Sequence, residues 1–337
     1  MATRIFVTQP IRESALARLR AVAEVTVNPD MRKAIPRDAL IAGLSACDIL
    51  FSLLHDRVDR EAIAANPQLR AIASMSITPD NIDVPAATAR GIAVTVVPPF
   101  AVESTADLHF ALLLAVARRV AEADQYVRAG VFPGSQSNYL IGSGVHGKTI
   151  GLVGGGGRIG RAVAARASGF AMRILYSAPR PIEEAEERKL GAVHVTLDAL
   201  LAESDFVSLH PRLTAATHRM IGAREIALMK PTAFLINTAR GAVVDEAALT
   251  AALAERRIAG AGLDVFENEP DVAPALTRLA NVTMTPHLGS AVAEVREAMA
   301  NAVVDNILAI LEGRRPPNIV NPEVLSASQR SILQGDE

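Results

Sequence analysis

Tryptophan is absent from the 337 residues, and aromatic residues make up only 4% of them. A surface that stacks nucleic-acid bases on aromatic rings is therefore not expected. There is one cysteine, Cys47, so no disulfide can close within the chain, and a reducing cytoplasm is expected. In Ser-Ala-Cys-Asp-Ile-Leu it reads as a small buried residue rather than a nucleophile. An excess of one charge is missing too. Lys and Arg number 34 against 36 Asp and Glu, a net of −2. Neither nucleic acid nor an anionic membrane is thus favoured as a partner. No apolar run approaches membrane-spanning length, and the stretch 110–117 is far too short. The opening Met-Ala-Thr-Arg-Ile-Phe-Val reads as a strand, not as a leader. No bound metal is expected.

What is present is a hydrophobic half of the chain, enough for sizeable cores. At this length two domains are expected. Strand-like and helix-like segments alternate, which predicts an α/β fold with parallel sheets. Strands are predicted at 4–8, 25–28, 48–52, 69–74 and 92–97, then at 150–153, 173–177, 192–195, 206–210, 233–237, 260–265 and 282–285. Pro98-Pro99 marks a boundary. One long helix is predicted from about 102 to 128, with His109 on it as a packed or surface residue rather than a ligand. The amphipathic stretch 292–311 returns to the first domain. The expected division is 1–99 with 290–325, 100–289, and a polar tail at 326–337. Both domains are expected to be doubly wound parallel sheets, with a cleft between them.

A glycine-rich turn gives the second domain its task. Gly155-x-Gly157-x-x-Gly160 follows a predicted strand and opens a helix. The first glycine permits the turn, the second lets backbone approach a pyrophosphate, and the third packs helix on strand. The helix N-terminus then receives the phosphates. The next strand normally ends in an acid that binds the ribose hydroxyls of NAD. Here Ser177 and Ala178 stand at that point, and Arg180 follows. Without the carboxylate a 2′-phosphate is not repelled, and an arginine can bind it, which favours NADP over NAD. Arg212 is a competing anchor.

Three segments each place one polar residue after a strand-like run. These are Asn-Thr-Ala-Arg-Gly with Arg240, Asp-Val-Phe-Glu-Asn-Glu-Pro with Glu269, and Thr-Pro-His-Leu-Gly-Ser with His287. In a parallel sheet the strand C-termini share one edge, where ligands bind. An arginine fork can hold a carboxylate and polarise the neighbouring carbonyl. A histidine can give the carbonyl oxygen its proton. A carboxylate beside it favours imidazolium and fixes the ring. The chemistry fits hydride transfer to a 2-oxo acid.

These motifs closely resemble those of the D-isomer-specific 2-hydroxyacid dehydrogenases, from the first strand to about Pro322. The resemblance implies a flavodoxin-like substrate-binding domain and a Rossmann NAD(P)-binding domain. It makes His287 the acid/base, Arg240 the substrate ligand and Glu269 the group that tunes the histidine. The cofactor residues it implies are Thr105, Arg158, Ile159, His210, Pro211, Thr238, Ala239, Asp264, His287 and Gly289, beside the three glycines, Ser177, Ala178 and Arg180. It also implies a homodimer. Within the family, glyoxylate/hydroxypyruvate reductases are similar in lacking the acid after the second strand.

Two departures stand out. Relatives have one residue fewer in the glycine turn, so Gly154 or a neighbour looks inserted. The family clamps the substrate carboxylate with a Gly-x-Gly turn before Asp-Asn, yet Ser76-Ile77-Thr78-Pro79 precedes Asp80-Asn81 here. Proline offers no N–H, and Ile77 and Thr78 tolerate positive φ poorly. Ser76, Ile77 and Thr78 are the expected substrate contacts, with the two hydroxyls for a polar substrate tail. The favoured reading is NAD(P)H-dependent reduction of a small 2-oxo acid. The alternatives are a non-enzymatic, cofactor-sensing module of the same fold, or a dehydrogenase for an atypical substrate.

Overall fold

The computed structural model describes residues 2–326. The chain divides into two compact units, Met1–Phe100 with the stretch from Val292 onward, and Ala101–Ala291. The polar tail expected at 326–337 falls, except for Ser326, outside the described residues.

The first unit is built on β1 (Arg4–Val7), β2 (Glu24–Val27), β3 (Ile49–Ser52), β4 (Ala71–Ser74) and β5 (Ala93–Thr95). They form one sheet in the order β2-β1-β3-β4-β5, parallel at every pairing. This is the flavodoxin-like winding. β3 and β4 are buried along their whole length, as a parallel sheet covered on both faces requires. One face carries a core of Ile5, Val7, Phe51, Met75, Val97, Met299 and Val303. The other carries Phe6, Leu40, Leu50, Ile63, Ile72 and Val94. Cys47 belongs to the second core and its Sγ donates to Leu44 O; burial pushes the thiol up to about 12. Helix Ala293–Leu311 covers the first face beside helix Glu13–Arg20. The segment after it is sewn to β5, with Val94 N–H donating to Asn321 Oδ1 at 2.8 Å.

The second unit holds β6 (Thr149–Val153), β7 (Arg173–Ser177), β8 (Ala192–His194), β9 (Phe206–Leu209), β10 (Phe234–Asn237), β11 (Gly260–Leu263) and β12 (Val282–Met284). The order is β12-β11-β10-β9-β6-β7-β8, parallel throughout. The winding reverses between β6 and β9, the switch point of a Rossmann sheet. The expected strands are all present, most shorter by one or two residues at an end.

The long helix predicted over 102–128 is two helices, Val102–Ala117 and Val120–Arg128. The break has a visible cause. The carbonyl of Ala117 accepts the N–H of Ser143 at 2.7 Å, so it is taken from the helical ladder. Arg119 turns left-handed with φ 55° and forks onto Glu122 with two bonds of 2.8 Å. The first helix is buried on several sides, whereas no residue of the second is buried. Among the described residues no helix is long and apolar enough to cross a membrane.

Candidate active site

The carboxyl ends of the neighbouring strands β10, β11 and β12 carry the three residues singled out for catalysis. After β10, Asn237 makes a local clamp. Its Oδ1 accepts from Ala239 N–H and its Nδ2 donates to Arg240 O, both at 3.0 Å. The half-buried Arg240 side chain donates from Nη1 to Ala239 O at 2.8 Å. Gly241 follows because nothing larger fits: a β-carbon there would stand 1.9 Å from Phe266 backbone. That contact ties the arginine's turn to the segment after β11.

This segment holds the carboxylate. Glu269 Oε1 accepts from Phe266 N–H at 2.9 Å, which directs Oε2 to His287 Nδ1 at 2.8 Å. Glu267 braces the same loop through Arg219 at 2.6 Å. His287 lies in a turn with φ 55°. Asp264 holds that turn. Its carboxylate accepts from Thr285 Oγ1 at 2.6 Å, Leu288 N–H at 2.7 Å and Gly289 N–H at 3.0 Å. Its carbonyl accepts from His287 N–H at 2.9 Å. Asp264 is 1% exposed, and burial pushes its carboxyl up against the pull of these donors. On the far side Gly289 O accepts from Ser104 Oγ at 2.7 Å and Thr105 Oγ1 at 3.3 Å. Asp264 and Thr105, which the resemblance gives to the cofactor, are both buried and their side chains bind the His287 turn.

The glycine turn fits a dinucleotide. A β-carbon on Gly160 would meet Gly155 Cα at 2.6 Å, and one on Gly155 would meet Tyr176 Cβ at 2.7 Å, so helix Arg158–Gly169 packs directly on β6. Gly157 caps that helix with an extended backbone, leaving first-turn N–H groups of Arg158, Ile159 and Gly160 without carbonyl partners within the helix. Gly154, at the end of β6, takes φ +75°, where a β-carbon would run into Pro211 N at 2.7 Å. At the end of β7, Ser177 and the following Ala178 are half-buried and Arg180 is exposed. His194 Nε2 meets Ala178 O at 3.1 Å and Tyr176 OH accepts Ile182 N–H at 2.9 Å, so this segment is pinned from both sides. Arg212 is exposed, and Thr238 and Ala239 are buried.

In the first unit, Ser76 is 4% exposed and its hydroxyl donates to Thr78 O at 2.7 Å. Thr78 Oγ1 donates to Asp80 Oδ2 at 2.7 Å. These hydroxyls, expected for a substrate tail, are engaged in shaping their own loop. None of residues 76–78 has a positive φ, which is how the loop manages without glycine. Asn81 holds it down through bonds to Leu53 O and Asp56 O. Ile77 presents its side chain to solvent at 37% exposure.

Sequence reading did not single out Asn237, Ser104, Ser208 or Thr285. The period-2 spacing of Ser208 on β9 and His210 just after it was the one available signal among them.

A cradle for a dinucleotide and an imidazole–carboxylate pair on the same sheet edge are the working parts of a Rossmann-type dehydrogenase. Comparison with known proteins narrows the class. The model of the D-isomer specific 2-hydroxyacid dehydrogenase, NAD binding domain, matches residues 110–289. Glyoxylate reductase of Thermococcus litoralis is 48% identical over 332 residues, 97% of this chain and 99% of that one. The crystal structure of a glyoxylate reductase from Paecilomyes thermophila superposes with a TM-score of 0.78 at 31% identity, covering 96% of this chain and 99% of that one. That of an NADPH-dependent glyoxylate/hydroxypyruvate reductase from Sinorhizobium meliloti, in complex with NADP and malonate, gives 0.77 at 33% identity, covering 95% and 97%. The chain belongs to the D-isomer specific 2-hydroxyacid dehydrogenase family and is an oxidoreductase.

Proposed function

We propose that the chain reduces a small 2-oxo acid, glyoxylate or hydroxypyruvate in the first place, to the D-2-hydroxy acid, with NADPH as the preferred reductant. The observation that carries this reading is the His287–Glu269 pair at 2.8 Å, in a turn that Asp264 fixes on the same edge as Arg240. Arg240 binds the substrate carboxylate with its fork and draws electron density from the adjacent carbonyl. Glu269 holds Nδ1, so the proton that His287 transfers is the one on Nε2. When bound, the reduced nicotinamide supplies the hydride to the carbonyl carbon. His287 gives its proton to the carbonyl oxygen, is left neutral and recovers a proton from solvent. Gly155, Gly157 and Gly160 admit the pyrophosphate, with Arg158, Ile159, His210, Pro211, Thr238, Ala239 and Gly289 around the rest of the cofactor.

Support for NADPH is local. No acid stands at Ser177 or Ala178, and Arg180 is exposed just beyond. A 2′-phosphate contact from it is worth roughly ten- to a hundredfold in affinity. Ser76, Ile77 and Thr78 form the substrate side in the first unit. A homodimer is supported by exposed apolar side chains at Val127, Phe132 and Ile141, and a cytoplasmic setting by the single, buried Cys47.

The test is a rate screen of glyoxylate, hydroxypyruvate and pyruvate with each reduced cofactor, joined to titrations of Arg180→Ala and Arg212→Ala. Arg180→Ala is expected to weaken NADPH and spare NADH. A clear NADH preference in the wild type overturns the NADPH assignment. Tight cofactor binding without reduction of any 2-oxo acid leaves the cofactor-sensing module instead.

A further inference from the structure

Ser208 and His210 lie on one face of the β9 end, two residues apart. His109, from helix Val102–Ala117, packs on that face and is 0% exposed. Ser208 Oγ stands between the two imidazoles, 2.6 Å from His210 Nε2 and 3.2 Å from His109 Nε2. The ring centroids are 5.4 Å apart. His109 is fully buried and His210 half-buried with its Nδ1 enclosed; desolvation lowers both rings below their ordinary range, so each is neutral and carries one proton.

One hydroxyl proton between two neutral rings leaves two arrangements. Either His109 donates to Ser208 and Ser208 donates to His210, or the reverse. The distances choose. A contact of 2.6 Å is short for N–H···O and ordinary for a hydroxyl donor, whereas 3.2 Å lies within the N–H···O range. Ser208 thus donates to His210 Nε2, and the proton of His210 sits on Nδ1. That Nδ1 is shut from solvent and has no hydrogen-bond partner. A buried donor left without an acceptor costs about 1–3 kcal/mol. Such a group is explained when an acceptor arrives with a ligand.

The place names the ligand. His210 follows β9 and Gly154 follows β6, the two strands between which the sheet order reverses. Gly154 lies against the His210–Pro211 backbone. Thr238, one residue past the paired strand β10, has its own Oγ1 buried and unpartnered. We infer that His109 and Ser208 are positioning residues that fix His210 with its proton on Nδ1, so that this nitrogen donates to an oxygen of the bound dinucleotide. The inference rests on the dinucleotide reading above and adds the residues that set one contact.

Asparagine and glutamine separate the two ring nitrogens, since the Asn amide falls near Nδ1 and the Gln amide near Nε2. Titration of NADPH and NADH by fluorescence is expected to find His210→Asn within about threefold of the wild type, and His210→Gln and Ser208→Ala weaker by roughly two- to tenfold or more. Ser208→Thr, which restores the hydroxyl, is expected to restore binding. Long-range proton–nitrogen spectra of the wild type without cofactor are expected to place the His210 proton on Nδ1. A proton on Nε2, or equal binding by the Asn and Gln variants, overturns the inference. If the wild type binds neither cofactor, the dinucleotide reading falls with the contact, while the spectrum still decides the tautomer.

Discussion

His287 holds a left-handed backbone, φ 55°, where residues with a β-carbon are uncommon. Such strain persists only where the surroundings over-determine it, and Asp264 and Glu269 do so here. Replacing the ring with asparagine, which tolerates this conformation, removes the proton carrier and keeps the turn. His287→Asn is expected to lower kcat by about 10²–10⁴-fold and to leave the cofactor Kd within twofold. A variant turning over at near the wild-type rate sinks the acid/base role. His210 offers a second test, read in stability. Its folded value is about 3 against 6.5 for the ordinary group. Between those values the unfolded chain takes up a proton that the folded chain refuses. Its contribution is therefore whole above about pH 6.5 and is lost as the pH falls, by up to about 1.4 kcal/mol per pH unit. Urea unfolding at pH 7 and pH 5 is expected to show a smaller acid loss for His210→Asn than for the wild type. Equal losses mean that the ring is charged in the folded chain. The sequence made Arg240, Glu269 and His287 legible because each ends a strand-like run. It left Asp264 and Thr105 ambiguous, since a buried polar residue reads the same whether it meets a ligand or a neighbouring turn.

At the scale of elements, the glycine turn shows how local chemistry sets a larger geometry. Helix Arg158–Gly169 can approach β6 only because Gly155 and Gly160 have no side chains at their crossing. A β-carbon at Gly160 would be 2.6 Å from backbone, which cannot move aside as a flexible side chain does. Gly160→Ala is therefore expected to cost about 1–3 kcal/mol, in the manner of an overpacked core. Its cofactor affinity should fall with it, because the helix start is displaced. Urea midpoints and NADPH titration measure the two effects. An unchanged midpoint would mean that the helix can slide without loss. The strands and this turn were legible as apolar runs with punctuation. The break at Arg119 was not, because helical periodicity continues across it. Its cause is the distant Ser143 N–H on Ala117 O, a tertiary contact without a local signal.

For the whole molecule, the apolar surface is the property that folding leaves unsettled. Helix Val120–Arg128 buries none of its residues, with Val120 at 54% and Val127 at 60% exposure. The chain after it adds Phe132 at 78% and Ile141 at 62%. One segment thus carries much of the exposed apolar surface of its unit, the kind of patch at which a second chain is expected to dock. Beside it lies a cavity of about 600 Å³ lined by Val116, Ile141, Phe234, Leu279 and Met284. Charged groups line the same cavity, among them Arg119, Glu122, Arg256 and Arg278, so a second copy seated there would meet a polar rim around an apolar floor. The expectation is a dimer in solution, with twice the chain mass by light scattering at micromolar concentration. Val127→Asp with Phe132→Asp puts charge into that contact without touching the sheet or the His287 turn. The double variant is expected to scatter as a monomer, with its unit still folded by circular dichroism. A wild type that is already monomeric ends the argument. So does a double variant that stays dimeric, since the contact would then lie elsewhere on the surface.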